Sequence, residues 1–171
     1  MKPRVFGVTG WKNSGKTTLA CKLVDEFTRR GFRVATVKHA HHAFDVDHEG
    51  TDSHRHRTAG AHEVAIVSGR RWAIMHEIGD REEPSLEEML TKLSPNDLVL
   101  IEGYKRENHP KIEARRLAAL DQTPLSEKDA SIRAIAADHV VARADIPVFA
   151  LDDIPAIADM IARETGLGDT A

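Results

Sequence analysis

The most specific chemistry in the chain lies in Gly10-Trp11-Lys12-Asn13-Ser14-Gly15-Lys16-Thr17, which fits the pattern G-x-x-x-x-G-K-[ST]. Gly10 and Gly15 let the backbone wrap so that its N–H groups converge on phosphate oxygens. Lys16 brings a positive charge to the terminal phosphates. The Thr17 hydroxyl suits Mg²⁺, a hard ion that prefers oxygen ligands. A chance match in an ordinary loop is the alternative. The context argues against it, because an apolar run precedes the motif and an amphipathic stretch follows. Partition-type ATPases place a lysine directly after the first glycine, where this chain has Trp11.

Such a loop needs an acidic residue at the end of a neighbouring strand to hold magnesium. Asp97-Leu98-Val99-Leu100-Ile101-Glu102-Gly103 ends on Glu102, the carboxyl end of a strand-like run, where open α/β sheets bind ligands. Asp97 opens the same run and reads as a turn or cap residue.

A third group is harder to interpret. The chain has ten histidines. His39, His41, His42, His48, His54, His56 and His62 crowd one segment with Asp45, Asp47, Asp52, Arg55 and Arg57. Imidazole and carboxylate together suit Zn²⁺ or Ni²⁺. Neutral imidazoles and arginines also suit an anion, and a phosphorylated ligand fits that set better than a metal does. Plain solvated surface is the third reading. No H-E-x-x-H helical pair is present, so a zinc protease is unsupported.

The elements that must position these residues follow from periodicity. Residues 4–9 form a β-branched, nearly continuous apolar run, as expected of a strand buried on both faces. Residues 16–30 carry Leu19, Leu23 and Phe27 at helical spacing, with Gly31 beyond the end. Cys21 lies beside that stripe and reads as a packed helix residue. Residues 32–38 form a second strand, which predicts a right-handed crossover and a parallel pair. A short helix is expected within 51–60. Strand-like runs 63–68 and 71–77 flank Gly69-Arg70 as a hairpin, in which Trp72 and Met75 are core or dimer contacts. Residues 85–93 read as a helix and 97–102 as a buried strand. Residues 111–116, 132–137 and 147–151 are extended, and a helix covers 154–164. The alternation predicts an α/β fold: a mainly parallel sheet flanked by helices, of the P-loop NTPase type, with an inserted β-hairpin.

Composition sets the outer bounds. The chain has 171 residues, net charge −3 and 5% aromatic residues. One domain over 1–171 is the expectation. The mild acidity and scarce aromatics argue against a nucleic-acid binder. A single cysteine excludes an intrachain disulfide framework. No long apolar stretch suggests a membrane span, so a cytoplasmic protein is expected.

Several stretches together resemble the molybdopterin-guanine dinucleotide biosynthesis protein B family. They are GVTGWKNSGKTTL, VKHAHHAFDVDHEGTDSHRHRTAGA, DLVLIEGYK, HPKIEARR and AIAAD, in family order from about Val5 to Asp138. The resemblance implies a GTP-binding, weakly GTP-hydrolysing, dimeric accessory protein. Its partner would be the molybdenum cofactor guanylyltransferase, which joins GMP to molybdopterin. GTP and Mg²⁺ are the implied ligands, with molybdopterin a further candidate. On the family pattern, Gly10, Asn13, Ser14, Gly15, Lys16, Thr17 and Thr18 hold phosphates, and Glu102 with Thr17 holds the metal. The fold is also similar to dethiobiotin synthetase. That likeness makes Lys38 a second phosphate-contacting, catalytic lysine beside Lys16. It also makes Asp52 a metal-assisting carboxylate, with Asp45 and Asp47 as competitors. Asp138 follows a late strand, where related folds recognise the base. His54, Arg55 and Arg57 are candidates for a second anionic ligand. A nickel-type metal-insertion GTPase using residues 39–62 is the alternative, and a non-hydrolysing adapter is a variant of the first reading.

Overall fold

The computed structural model describes residues 3–40, 44–142 and 145–168. His41 and His42 lie outside the described residues. The chain divides into two compact units, Met1–His39 with Leu86–Ala171, and Ala40–Ser85.

The first unit contains β1 (Val5–Thr9), α1 (Lys16–Arg29), β2 (Val34–Lys38), α3 (Leu86–Lys92), β5 (Leu98–Glu102), β6 (Lys111–Arg115), β7 (Ile132–Ala137), β8 (Val148–Ala150) and α4 (Ile154–Thr165). The second contains α2 (Asp52–Thr58), β3 (Glu63–Val67) and β4 (Trp72–His76). The six strands of the first unit lie in the order β2-β5-β1-β6-β7-β8, and every paired neighbour runs parallel.

The continuous apolar runs make sense in this sheet, because both faces are covered. Leu98 and Leu100 point to one face with Phe6, Val8 and Ile112, where Leu19, Leu23 and Phe27 of α1 and Ile157 and Ile161 of α4 pack. Val99 and Ile101 point to the other face, with Val37 and Leu86 of α3. Cys21 is exposed, contrary to the expectation of packing. At 100° per residue it lies about 200° from Leu19 and so faces away from the stripe. Gly31, at φ 89°, ends α1, and the Gly31 and Phe32 amides close the turn onto Thr28 and Phe27 carbonyls.

β6 departs from the apolar rule. Lys111 and Glu113 are fully buried. The Lys111 ammonium donates to Asp129 at 2.9 Å and Ser131 at 2.8 Å. Glu113 accepts from Arg115, Leu125 N–H and Ser126 N–H. These bonds tie the 117–131 loop to the sheet. Each buried charge is compensated, which is the condition for tolerating it inside.

The second unit has little core of its own. Val64 is its one buried apolar residue among those described, and Asp47 is its one buried charge. Trp72 is 66% exposed, so it is not a core residue. Glu63↔His76, Ala65↔Ile74 and Val67↔Trp72 are cross-strand partners of the hairpin, and this face carries the exposed Val67, Trp72 and Ile74. The turn is held by Ser68, whose hydroxyl accepts from the Arg71 amide. Arg57 of α2 supplies a polar centre. Its guanidinium donates to Asp45 and Asp47, each at 2.8 Å, and pairs with Glu77 at 3.5 Å. Arg57 holds the Asp47 carboxyl below the usual carboxylate range.

Candidate functional site

The site begins where β1 ends. Gly10 has φ 146°, and a Cβ there would collide with Ser14 Oγ and lie 2.6 Å from the Ala114 carbonyl, so only glycine fits. Asn13 takes the left-handed conformation at φ 64°. Gly15 precedes α1 at φ 91° without capping it through a side chain. The first N–H groups of α1 are therefore left for the loop and whatever it binds, at the positive end of the helix dipole. Ser14 Oγ is buried with no hydrogen-bond partner among the described residues.

Three features converge on this turn. Thr17 Oγ1 donates to Glu102 Oε1 at 2.7 Å. Lys38 Nζ is 3.4 Å from the same Glu102 oxygen. The sheet register explains both contacts: Glu102 at the end of β5 pairs with Val8 on one side and Lys38 on the other. Lys16 Nζ donates to the Trp11 carbonyl at 2.6 Å, arching over the loop. Thus the expectations for Lys16, Thr17, Lys38 and Glu102 all fall in one place. The Thr17 hydroxyl and Glu102 carboxylate form a hard oxygen pair that suits Mg²⁺, and the orphaned Ser14 hydroxyl fits a phosphate oxygen.

The charge balance favours an anion. Burial lowers the Lys16 pKa first, and Lys105 and Lys38 lower it further, while Glu102 opposes them. Burial also lowers that of Lys105, whose Nζ sits 4.0 Å from the centre of the Trp11 ring. The Trp11 indole N–H donates to the Thr123 carbonyl at 2.7 Å, anchoring the loop from the far side. Only Trp11's mismatch with partition ATPases is visible in sequence. Its anchoring role needs the 117–131 loop to fold back.

A cavity of ≈ 720 Å³ extends from the loop along the carboxyl ends of β7 and β8. Gly15, Thr18, Arg116, Asp138, Phe149 and Asp152 line parts of it. Asp138 therefore shares a cavity with the phosphate-loop residue Thr18. Its Oδ1 accepts from the Leu117 amide at 3.0 Å and from His139 Nδ1 at 2.9 Å. The His139 hydrogen bond is the largest cause holding this carboxyl below its usual range. Arg116 escaped the sequence reading as a site residue. A Cβ on Gly15 would sit 2.8 Å from Arg116 Nε, so the guanidinium crosses directly over the loop. The signal was its place at the end of β6, but only the strand order puts β6 beside β1.

Asp52, His54, Arg55 and Arg57 belong to α2, in the second unit. The Asp52 side chain is 92% exposed and lies 3.9 Å from Arg55. Arg57 is held by three carboxylates, whereas the Arg55 side chain is 77% exposed.

Comparison with known proteins converges on one family. The family model described as "Molybdopterin guanine dinucleotide synthesis protein B" matches residues 5–138. A molybdopterin-guanine dinucleotide biosynthesis adapter protein of Haemophilus influenzae is 39% identical over 159 residues, covering 92% of this chain and 86% of its own length. The protein of the same name in Escherichia coli is 36% identical, covering 92% of this chain and 90% of its own. Among solved structures, a MobB protein homologue from Bacillus stearothermophilus superposes with a TM-score of 0.71 at 30% identity, covering 94% of this chain and 99% of that one. The parallel sheet and the loop at the end of β1 are thus the architecture of a known group, and this chain belongs to the molybdopterin guanine dinucleotide synthesis protein B family.

Proposed function

We propose that this protein is a GTP-binding adapter in the guanylation of the molybdenum cofactor. The observation that carries the reading is the convergence of Lys16, Thr17, Lys38 and Glu102 on one glycine-rich turn, in a chain whose relatives are named as adapters of molybdopterin-guanine dinucleotide biosynthesis. Gly10 to Thr18 would wrap the phosphates with backbone N–H groups. Bound Mg²⁺, held by Thr17 and Glu102, would neutralise phosphate charge. Lys16 and Lys38 place positive charge against the phosphoryl group, and Arg116 is positioned to add a third. The cavity beside Asp138 accommodates the base. A carboxylate there accepts from the paired N1–H and N2–H donors of guanine, whereas adenine presents one donor beside an acceptor.

Hydrolysis in this reading is slow and serves as a timer. His54 and the outward Arg55 would meet a second anionic ligand, a phosphorylated pterin, beside Arg57, which Asp45, Asp47 and Glu77 already hold. The exposed apolar strip Val67, Trp72 and Ile74 supports a homodimer. Among the described residues no helix is long and apolar enough to cross a membrane, which suits a cytoplasmic protein acting on a small-molecule cofactor. The names of the relatives give no support to nickel-type metal insertion. The test is capture of the molybdenum cofactor guanylyltransferase on the purified chain, with and without Mg²⁺-GTP and molybdopterin. Nucleotide-dependent retention is expected, and no retention under any condition would contradict the adapter reading.

A further inference from the structure

We propose that His62, Glu63 and His76 form a site for a divalent transition ion of the zinc type, stapling β3 to β4, for which Arg81 competes. One potential ligand atom from each of the three residues lies within 4.8 Å of the other two. The His62 and His76 rings meet edge to face with centroids 5.3 Å apart. His76 Nδ1 is 2.7 Å from Glu63 Oε1. Two imidazoles and one carboxylate are a known zinc donor set, which leaves a fourth position for water. The register places the donors on opposite strands: Glu63 pairs with His76, and the Glu77 amide donates to the His62 carbonyl at 2.9 Å. An ion here would therefore cross-link the hairpin.

The hairpin has reason to use such a link. A two-stranded sheet is marginally stable alone, and this one buries only Val64. Metal affinity becomes folding free energy where ligands from separate strands must be brought together.

Arg81 determines the competition. Its guanidinium is 2.8 Å from His76 Nε2. An ion bound at Nε2 would take the lone pair that the arginine uses. An ion bound at Nδ1 would send the ring proton to Nε2, where it would face a second donor. In either case Arg81 must withdraw. The contact is exposed, and such contacts contribute little, so the ion prevails.

The test is calorimetric titration of the full, untagged chain with Zn²⁺. One site is expected. His62→Ala/His76→Ala should weaken it by at least about tenfold, while Arg81→Ala should tighten it. His56→Ala, on α2, should leave it unchanged. Co²⁺ should give the intense visible bands of a four-coordinate site, and these should vanish in the His62/His76 variant. Hydrogen exchange of the unmutated chain supplies a readout independent of how the variants fold: Zn²⁺ should slow exchange at β3 and β4. Unchanged affinity in the double variant, an equal loss in the α2 control, or protection away from the hairpin would each overturn the proposal.

Discussion

The two units use opposite strategies for stability. In the first, an all-parallel sheet is sandwiched so tightly that Phe6, Val8, Leu23, Phe27, Ile101 and Ile112 are fully buried. In the second, Val64 is the one buried apolar residue among those described, and an arginine ringed by carboxylates takes the centre. A loop that must present N–H groups to phosphate gains from rigid support, because preorganised dipoles need not rearrange on binding. A unit with few apolar contacts opens at low free energy and suits a segment that reorders around a partner.

The contrast can be broken by mutation. Phe27→Ala should destabilise the first unit by about 3–5 kcal/mol, the usual result of removing a buried aromatic ring. Urea denaturation followed by far-UV circular dichroism measures it; a loss under about 1 kcal/mol would mean that the core is looser than its burial indicates. Lys16→Ala should reduce nucleotide affinity by about 100-fold, since a charge-assisted contact is worth about 3 kcal/mol. Titration calorimetry measures it, with the melting temperature nearly unchanged because, among the described residues, the Lys16 ammonium bonds only the Trp11 carbonyl.

A smaller effect is set by pH. His109 is buried, and both ring nitrogens lack hydrogen-bond partners among the described residues. Burial, then Lys111, lowers its pKa to about 4, with Asp129 opposing. The folded chain therefore binds fewer protons than the unfolded chain between about pH 6.5, the ordinary histidine value, and pH 4. Stability should fall as pH drops through that window, and His109→Leu should flatten the fall. Urea midpoints across the range decide it, and a parallel slope in the variant would remove His109 from the account. The smallest effect belongs to the second unit: Val64→Ala should shift the global transition by less than about 1 kcal/mol while speeding exchange at β3 and β4. Each unit contains one tryptophan, Trp11 and Trp72, so single-tryptophan variants report the units separately. Coincident transitions would erase the contrast.

Much of this was legible in sequence because the first unit obeys periodic rules. Leu19, Leu23 and Phe27 announce one face of α1, and the run from Leu98 to Ile101 announces a strand covered on both sides. The phosphate loop was equally plain, since Gly10 and Gly15 mark backbone conformations that other residues rarely adopt. What stayed hidden depends on contacts distant in sequence. Arg116 reaches Gly15 only because β6 neighbours β1, and Trp11 is anchored at Thr123, far along the chain. The buried charges of β6 read as an ordinary polar strand until their partners Asp129, Ser131 and Ser126 fold over them. Arg57 likewise read as an anion binder, and its carboxylate neighbours show that it also organises its own unit.

In the proposed function the first unit binds guanine nucleotide through the β1–α1 loop and the cavity beside Asp138. Calorimetric titration of the unmutated chain with GTP and with ATP, both in Mg²⁺, tests it most directly. GTP should bind with clear preference over ATP, and Asp138→Ala should reduce that preference. Equal or tighter ATP binding would contradict it.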